Sequence, residues 1–179
     1  MLQAPISVRG FPLPDDSPGF LVVLAVHVAA GIWCVATGAV AMLSNKERRR
    51  HPRFGRLYFW GLTVVFVTMS ALAAMRWAED SILFFLGALS FGAAILGRQV
   101  APSRATGRIR VHLSAMGSLY ILMLTAFYVD NGKNLPLWRD LPHLAYWLIP
   151  AAVGIPIIVR SLLRALLGDG RRESRSLGR

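Results

Sequence analysis

The sequence predicts an all-α integral membrane bundle of five transmembrane helices, with the N-terminus outside and the C-terminus in the cytoplasm. Three observations carry that expectation. Five uncharged apolar runs, residues 18–43, 57–75, 81–97, 111–129 and 141–159, each reach the minimum of about 17 residues that a helix needs to cross a hydrocarbon core. Sixteen of the twenty Lys and Arg residues lie in three short segments between or after those runs. The chain is 55% apolar and 16% charged, where soluble domains run at about 45–50% and 25%.

Residues 1–17 hold Pro12, Pro14 and the pair Asp15-Asp16. They lack a basic lead into an apolar segment, and they read as a short exposed arm rather than a cleaved signal peptide. Span one (18–43) opens onto loop 44–56, which carries six bases: Lys46, Arg48, Arg49, Arg50, Arg53 and Arg56. Span two (57–75), with Tyr58 and Trp60 at its inner end, leads to a loop with Arg76 alone. The short span three (81–97) precedes Arg98, Arg104, Arg108 and Arg110. Span four (111–129) is followed by Lys133 and Arg139, and span five extends to about residue 163. The five-span domain then covers 18–166. The tail 167–179 has almost no apolar content and reads as disordered, within reach of anionic lipid headgroups.

Basic loops face the cytoplasm. Counted that way, sixteen Lys and Arg lie inside and four outside, which fixes the N-out orientation and suggests a bacterial inner membrane. A net charge of +11 would suit a nucleic-acid binder, but its alternation between apolar runs calls for a lipid bilayer instead. The partners expected are that bilayer, anionic headgroups and a redox protein, with no nucleic acid. None of the runs alternates as a barrel strand does. Small residues recur at helix-packing spacing, as in Ala30/Cys34/Gly38, Ala88/Gly92 and Ser114/Ser118. Pro150 and Pro156 make span five the one expected to bend.

All nine acids lie outside the spans, which argues against a proton pump or cation-coupled carrier. Cys34 is the single cysteine, so an internal disulfide and a Cys-x-x-Cys zinc site are excluded. The histidines carry the chemistry that is left. His27 lies within span one, about 12 Å from its outer end at 1.5 Å per residue. His143 opens span five from the outside, while His51 and His112 stand at the cytoplasmic mouths of spans two and four. Paired imidazoles on facing helices can hold a b-type haem. His51 and His112 match in depth and form the best iron-ligand pair. His27 and His143 are offset by roughly 10 Å along the normal. The same residues are also at home as solvated helix ends, and His27 as a polar group bonded to a Ser or Thr of a neighbouring helix.

Two further stretches stand out. Arg48 to Arg56, around Pro52, suits a helix start that attracts anions, such as a lipid phosphate or a haem propionate, and equally a plain positive-inside signal. Asp130-Asn131-Gly132-Lys133 is turn chemistry. With Phe127, Tyr128, Leu135, Pro136 and Trp138 around it, it reads as an interfacial loop or an ordered cap.

At these residues the chain resembles a family of uncharacterised bacterial multi-pass membrane proteins, the "domain of unknown function 2306" group. The resemblance rests on His27, on His51-Pro52-Arg53-Phe54-Gly55-Arg56-Leu57-Tyr58, and on His112 followed by Met116, Ser118, Leu119 and Tyr120. It covers about residues 20–160. Pro52 shifts the Arg by one position, and Leu119 separates Ser118 from Tyr120. The family implies no activity. It adds weight to His27, Arg53, Gly55, Arg56, Tyr58 and His112 as cofactor-binding candidates.

The expected function is therefore a small membrane protein holding haem b or a quinone for transmembrane electron transfer. His51 and His112 would bind the iron, and Arg53 and Arg56 would neutralise propionates or a quinone headgroup. The alternative is a non-enzymatic module that binds anionic lipid or a partner membrane protein through its basic face.

Overall fold

The computed structural model of the protein describes residues 6–8, 11–13, 17–44, 49–101 and 106–177. Pro14, Asp15, Asp16, Lys46, Arg48 and Arg104, named above, lie outside those residues. The elements in chain order are β1 (Ile6–Val8), β2 (Phe11–Leu13), α1 (Pro18–Leu43), α2 (Arg50–Met75), α3 (Trp77–Val100), α4 (Thr106–Asn131), a 3-10 turn (Gly132–Asn134) and α5 (His143–Leu177). The five helices are each long and apolar enough to cross a membrane. The all-α expectation stands. The arm expected to be short and exposed contributes the antiparallel pair β1–β2, with Ile6 opposite Leu13.

Helix ends follow local chemistry. Ser17 caps α1 through its Oγ, which accepts the Phe20 N–H at 3.4 Å, and Pro18 fills the first position. At the other end the Ser44 N–H donates to Val40 O at 2.9 Å. Arg76 alone joins α2 to α3, its N–H donating to Leu72 and Ala73 carbonyls. Glu79 and Asp80 then sit in the first turn of α3 and Arg98 in its last, each on the side the helix dipole favours.

Span one coincides with α1, but the other helices outrun their apolar runs. α2 begins at Arg50, seven residues before the apolar stretch, with Pro52 in its first turn, where its missing N–H is harmless. α5 continues to Leu177 through the segment expected to be disordered. Apolarity marks the stretch that crosses lipid, whereas a helix once nucleated extends at little cost through Arg, Glu and Ser. α5 also runs on through Pro150 and Pro156, although each proline leaves the carbonyl four residues earlier without its usual donor.

Residues up to Phe85 form one compact unit and those from Leu86 another. In the first, α1 packs on α2: the small residues Cys34, Thr37, Gly38 and Ala41 are buried on one helix and Tyr58, Leu62, Leu72 and Ala73 on the other. A Cβ on Gly61 would lie 2.9 Å from Trp33 Cδ1 and 3.0 Å from Cys34 Sγ, so the glycine is what permits that approach. In the second unit α4 packs on α5, and Ala94, Ala115, Leu119 and Tyr146 are buried. The expected Ala88/Gly92 and Ser114/Ser118 rows are not where helices meet closely. Gly92 and Ser118 are exposed, and the close approach falls on Gly117 and Gly154 instead.

Large apolar side chains such as Ile32, Trp60, Phe85, Leu89 and Val153 face outward. Such extensive exposure of large apolar side chains is what lipid favours, because hydrocarbon solvates Leu as well as a core does. The chain is a multi-pass membrane protein.

Candidate functional site

His51 is the second residue of α2, and its Nδ1 lies 2.9 Å from Ala41 O. Ala41 is in the last turn of α1, where carbonyls run out of intrahelical donors. A carbonyl oxygen only accepts, so the His51 Nδ1 carries the proton. The imidazole thereby ties the start of α2 to the end of α1.

His112 repeats the arrangement in the other unit. Its Nδ1 lies 2.8 Å from Gly97 O, again a carbonyl in the last turn of the preceding helix. Gly97 eases this approach: a Cβ there would be 2.6 Å from Met116 Cε, the flexible end of that side chain, and 3.4 Å from Ala115 Cβ. Each of the two imidazoles is held in its own hairpin and in its own unit.

His27, half-buried within α1, places Nδ1 2.9 Å from Thr68 Oγ1 of α2. The Thr68 hydroxyl donates its own proton to Val64 O at 2.8 Å. It therefore accepts from His27, whose Nδ1 is again the protonated nitrogen. This is the neighbouring-helix Thr partner that sequence reasoning offered as the alternative to a ligand role. His143 is exposed at the start of α5, edge-on to the Tyr146 ring at 5.9 Å.

Arg50, Arg53 and Arg56 are exposed on α2, as is Arg49 at its N-cap, so the start of the helix exposes four guanidinium groups. Tyr58 is buried, and its backbone carbonyl accepts from Cys34 Sγ at 3.8 Å. Among the described residues no three or more His, Cys, Asp or Glu side chains gather as a metal site.

Within the second unit the 130–142 loop is an ordered cap on α4 and α5. Tyr146, 1% exposed, donates its hydroxyl proton to Trp138 O at 2.9 Å. The Trp138 ring stacks on Tyr128 of α4 at 4.5 Å. Buried Gly132 lies flat against the Tyr146 ring, where a Cβ would come within 2.6 Å of Cε1.

Sequence reasoning named the imidazoles but missed what holds them. Ala41 and Gly97 act through backbone carbonyls, which carry no residue signature, while Thr68 was one hydroxyl among several in the spans. Gly97 had one readable signal, a glycine at the end of an apolar run just before a base.

No family model matches the chain, and neither does any curated protein or solved structure.

Proposed function

We propose that the protein sits in a bacterial inner membrane, N-terminus out, and carries electrons through a b-type haem or a quinone held at its cytoplasmic side, with His51 and His112, each within its own unit, as the candidate imidazole donors. One observation carries this reading: both rings donate Nδ1–H to a helix-end carbonyl. In a neutral imidazole so fixed, Nε2 bears the electron pair. A backbone or carboxylate partner on the other ring nitrogen is the outer-shell arrangement that metal-ligating histidines use.

The donor chemistry fits. Imidazole suits haem iron, and exposed Arg53 and Arg56 provide the positive charge that propionates or a quinone headgroup need. Haem, when bound, supplies a one-electron couple. The chain's own part is to fix the two tautomers and offset anionic charge. The likeness to the "domain of unknown function 2306" group rests on the same residues, His27, Arg53, Gly55, Arg56, Tyr58 and His112, and belongs to this proposal.

The test is a reduced-minus-oxidised visible spectrum of protein expressed with ample haem, followed by the same spectrum for His51→Asn and His112→Asn. Asn keeps an N–H where Nδ1–H was, so the tie to Ala41 or Gly97 survives while the iron ligand is lost. The expected result is a b-type spectrum that either substitution abolishes in a folded protein. A parent with no chromophore and no lipid-extractable quinone would sink the proposal, as would two variants with unchanged spectra.

A second reading is favoured by the four exposed guanidinium groups of Arg49, Arg50, Arg53 and Arg56. They suit anionic headgroups or a partner membrane protein. Replacing them with Gln would then reduce co-purified anionic lipid and leave any spectrum unchanged.

A further inference from the structure

The loop between α4 and α5 is held at a definite level by aromatic contacts on both sides. Tyr128, three residues before the end of α4, stacks on the Trp138 ring at 4.5 Å. Tyr146, in the first turn of α5, donates to the Trp138 carbonyl at 2.9 Å. Trp138 is thereby held against the ends of both α4 and α5. Arg139 N–H donates to Leu135 O at 3.0 Å and Leu141 N–H to Trp138 O at 2.9 Å, so residues 135–141 are a wound, ordered turn.

That turn exposes apolar surface. Leu137 is 90% exposed, Pro136 is exposed beside it, and Leu141 follows at 37%. The same exposed series continues along α5 through Leu144 at 64% and Leu148 at 55%, which belong to the lipid-facing surface of that span. Tyr and Trp are the residues that settle at headgroup level, and here they fix the depth of the turn that carries Leu137. Charge does not explain the placement. The loop holds Lys133 and Arg139 against Asp130 and Asp140, so it is neutral where the cytoplasmic-side loops are strongly basic.

We propose that residues 136–141 form a membrane-interface anchor. Leu137, Pro136 and Leu141 enter the boundary between headgroups and acyl chains on the side opposite the basic loops, while Asn134 and Asp140 stay in water. An amphipathic segment lying in the interface plane with its apolar face in the acyl boundary is a known mode of peripheral attachment. Here it is built into the loop of a spanning protein, continuous with the lipid-facing surface of α5. The inference does not depend on haem or quinone binding.

The experiment places an environment-sensitive nitrobenzoxadiazole label on Leu137→Cys in the full-length protein, reconstituted in phosphatidylcholine–phosphatidylglycerol vesicles. The unsubstituted chain, whose Cys34 is buried, is the labelling blank. Asn134→Cys and Asp140→Cys are the aqueous references. The expected result at position 137 is blue-shifted emission, loss of iodide quenching and strong quenching by a nitroxide lipid labelled near the top of its acyl chain, with iodide quenching retained at 134 and 140. Iodide quenching at 137 equal to that at 140 would overturn the anchor. Protection at 137 from both quenchers would overturn it too, because a second copy of the chain would then cover the site.

Discussion

Ile158 of α5 occupies the space that a side chain on Gly117 of α4 would need: a Cβ there would lie 2.5 Å from Ile158 Cγ1 and 2.6 Å from its Cδ1. The relationship is reciprocal, because Gly154 of α5 meets Ile121 of α4 in the same way. Each glycine thus receives the isoleucine of the facing helix, a knob and hole in both directions. Ile in a helix is largely confined to one χ1 rotamer, so it cannot swing aside. Gly117→Val is expected to destabilise the protein by about 1–3 kcal/mol, the usual range for overpacking. Ile158→Ala in the same chain should recover part of that loss. Gly92→Ala, where a Cβ meets open space, should be neutral or mildly stabilising. Reversible denaturation in mixed micelles measures all three.

The His27–Thr68 bond at 2.9 Å joins two helices within the membrane span. Interhelical polar pairs of this kind contribute about 0.6 kcal/mol on average and at most about 1.7 kcal/mol. A double-mutant cycle with His27→Ala and Thr68→Val should return a coupling energy in that range. A coupling of zero would mean that the pair is geometrically close but energetically silent, and that His27 is retained for something else.

The cap over the α4–α5 end depends on one hydroxyl. Tyr146→Phe keeps the buried ring against Gly132 and deletes only the bond to Trp138 O. The net loss in global stability is about 1 kcal/mol, but the local effect should be larger. Amide hydrogen exchange in residues 132–142 is expected to accelerate while exchange in α4 and α5 is unchanged. Uniform acceleration through both helices would show that the ring, rather than the hydroxyl, is what the substitution disturbs.

The five helices were legible because crossing lipid leaves a long uncharged run in the sequence, and α1 was legible to its ends because its bounds coincide with those of the run 18–43. The start of α2 at Arg50 lies outside its apolar run, and Pro52, suited to the first turn of a helix, was what signalled it. His51 and His112 were visible as polar aromatic residues at the mouths of apolar runs. What they do there was hidden, because Ala41 and Gly97 receive them through backbone oxygen. The same limit hid the Gly117–Ile158 contact. Spacing along one helix suggested the rows Ala88/Gly92 and Ser114/Ser118, yet which glycine is covered depends on the facing helix.

The N-out orientation expected from charge asymmetry has a direct check. In spheroplasts, a membrane-impermeant maleimide should label Asp140→Cys at once, because Asp140 is exposed on the α4–α5 loop. Arg50→Cys, exposed at the start of α2, should react only after the membrane is permeabilised. Buried Cys34 gives the background. Since sixteen of twenty Lys and Arg residues lie on the side assigned to the cytoplasm, replacing one arginine with cysteine leaves the bias intact, and the label reports the native topology. Immediate labelling of Arg50→Cys with protection of Asp140→Cys would invert the assignment. It would also move His51 and His112 to the outer face, where any electron carrier they hold would serve a partner outside the cell membrane rather than a cytoplasmic one.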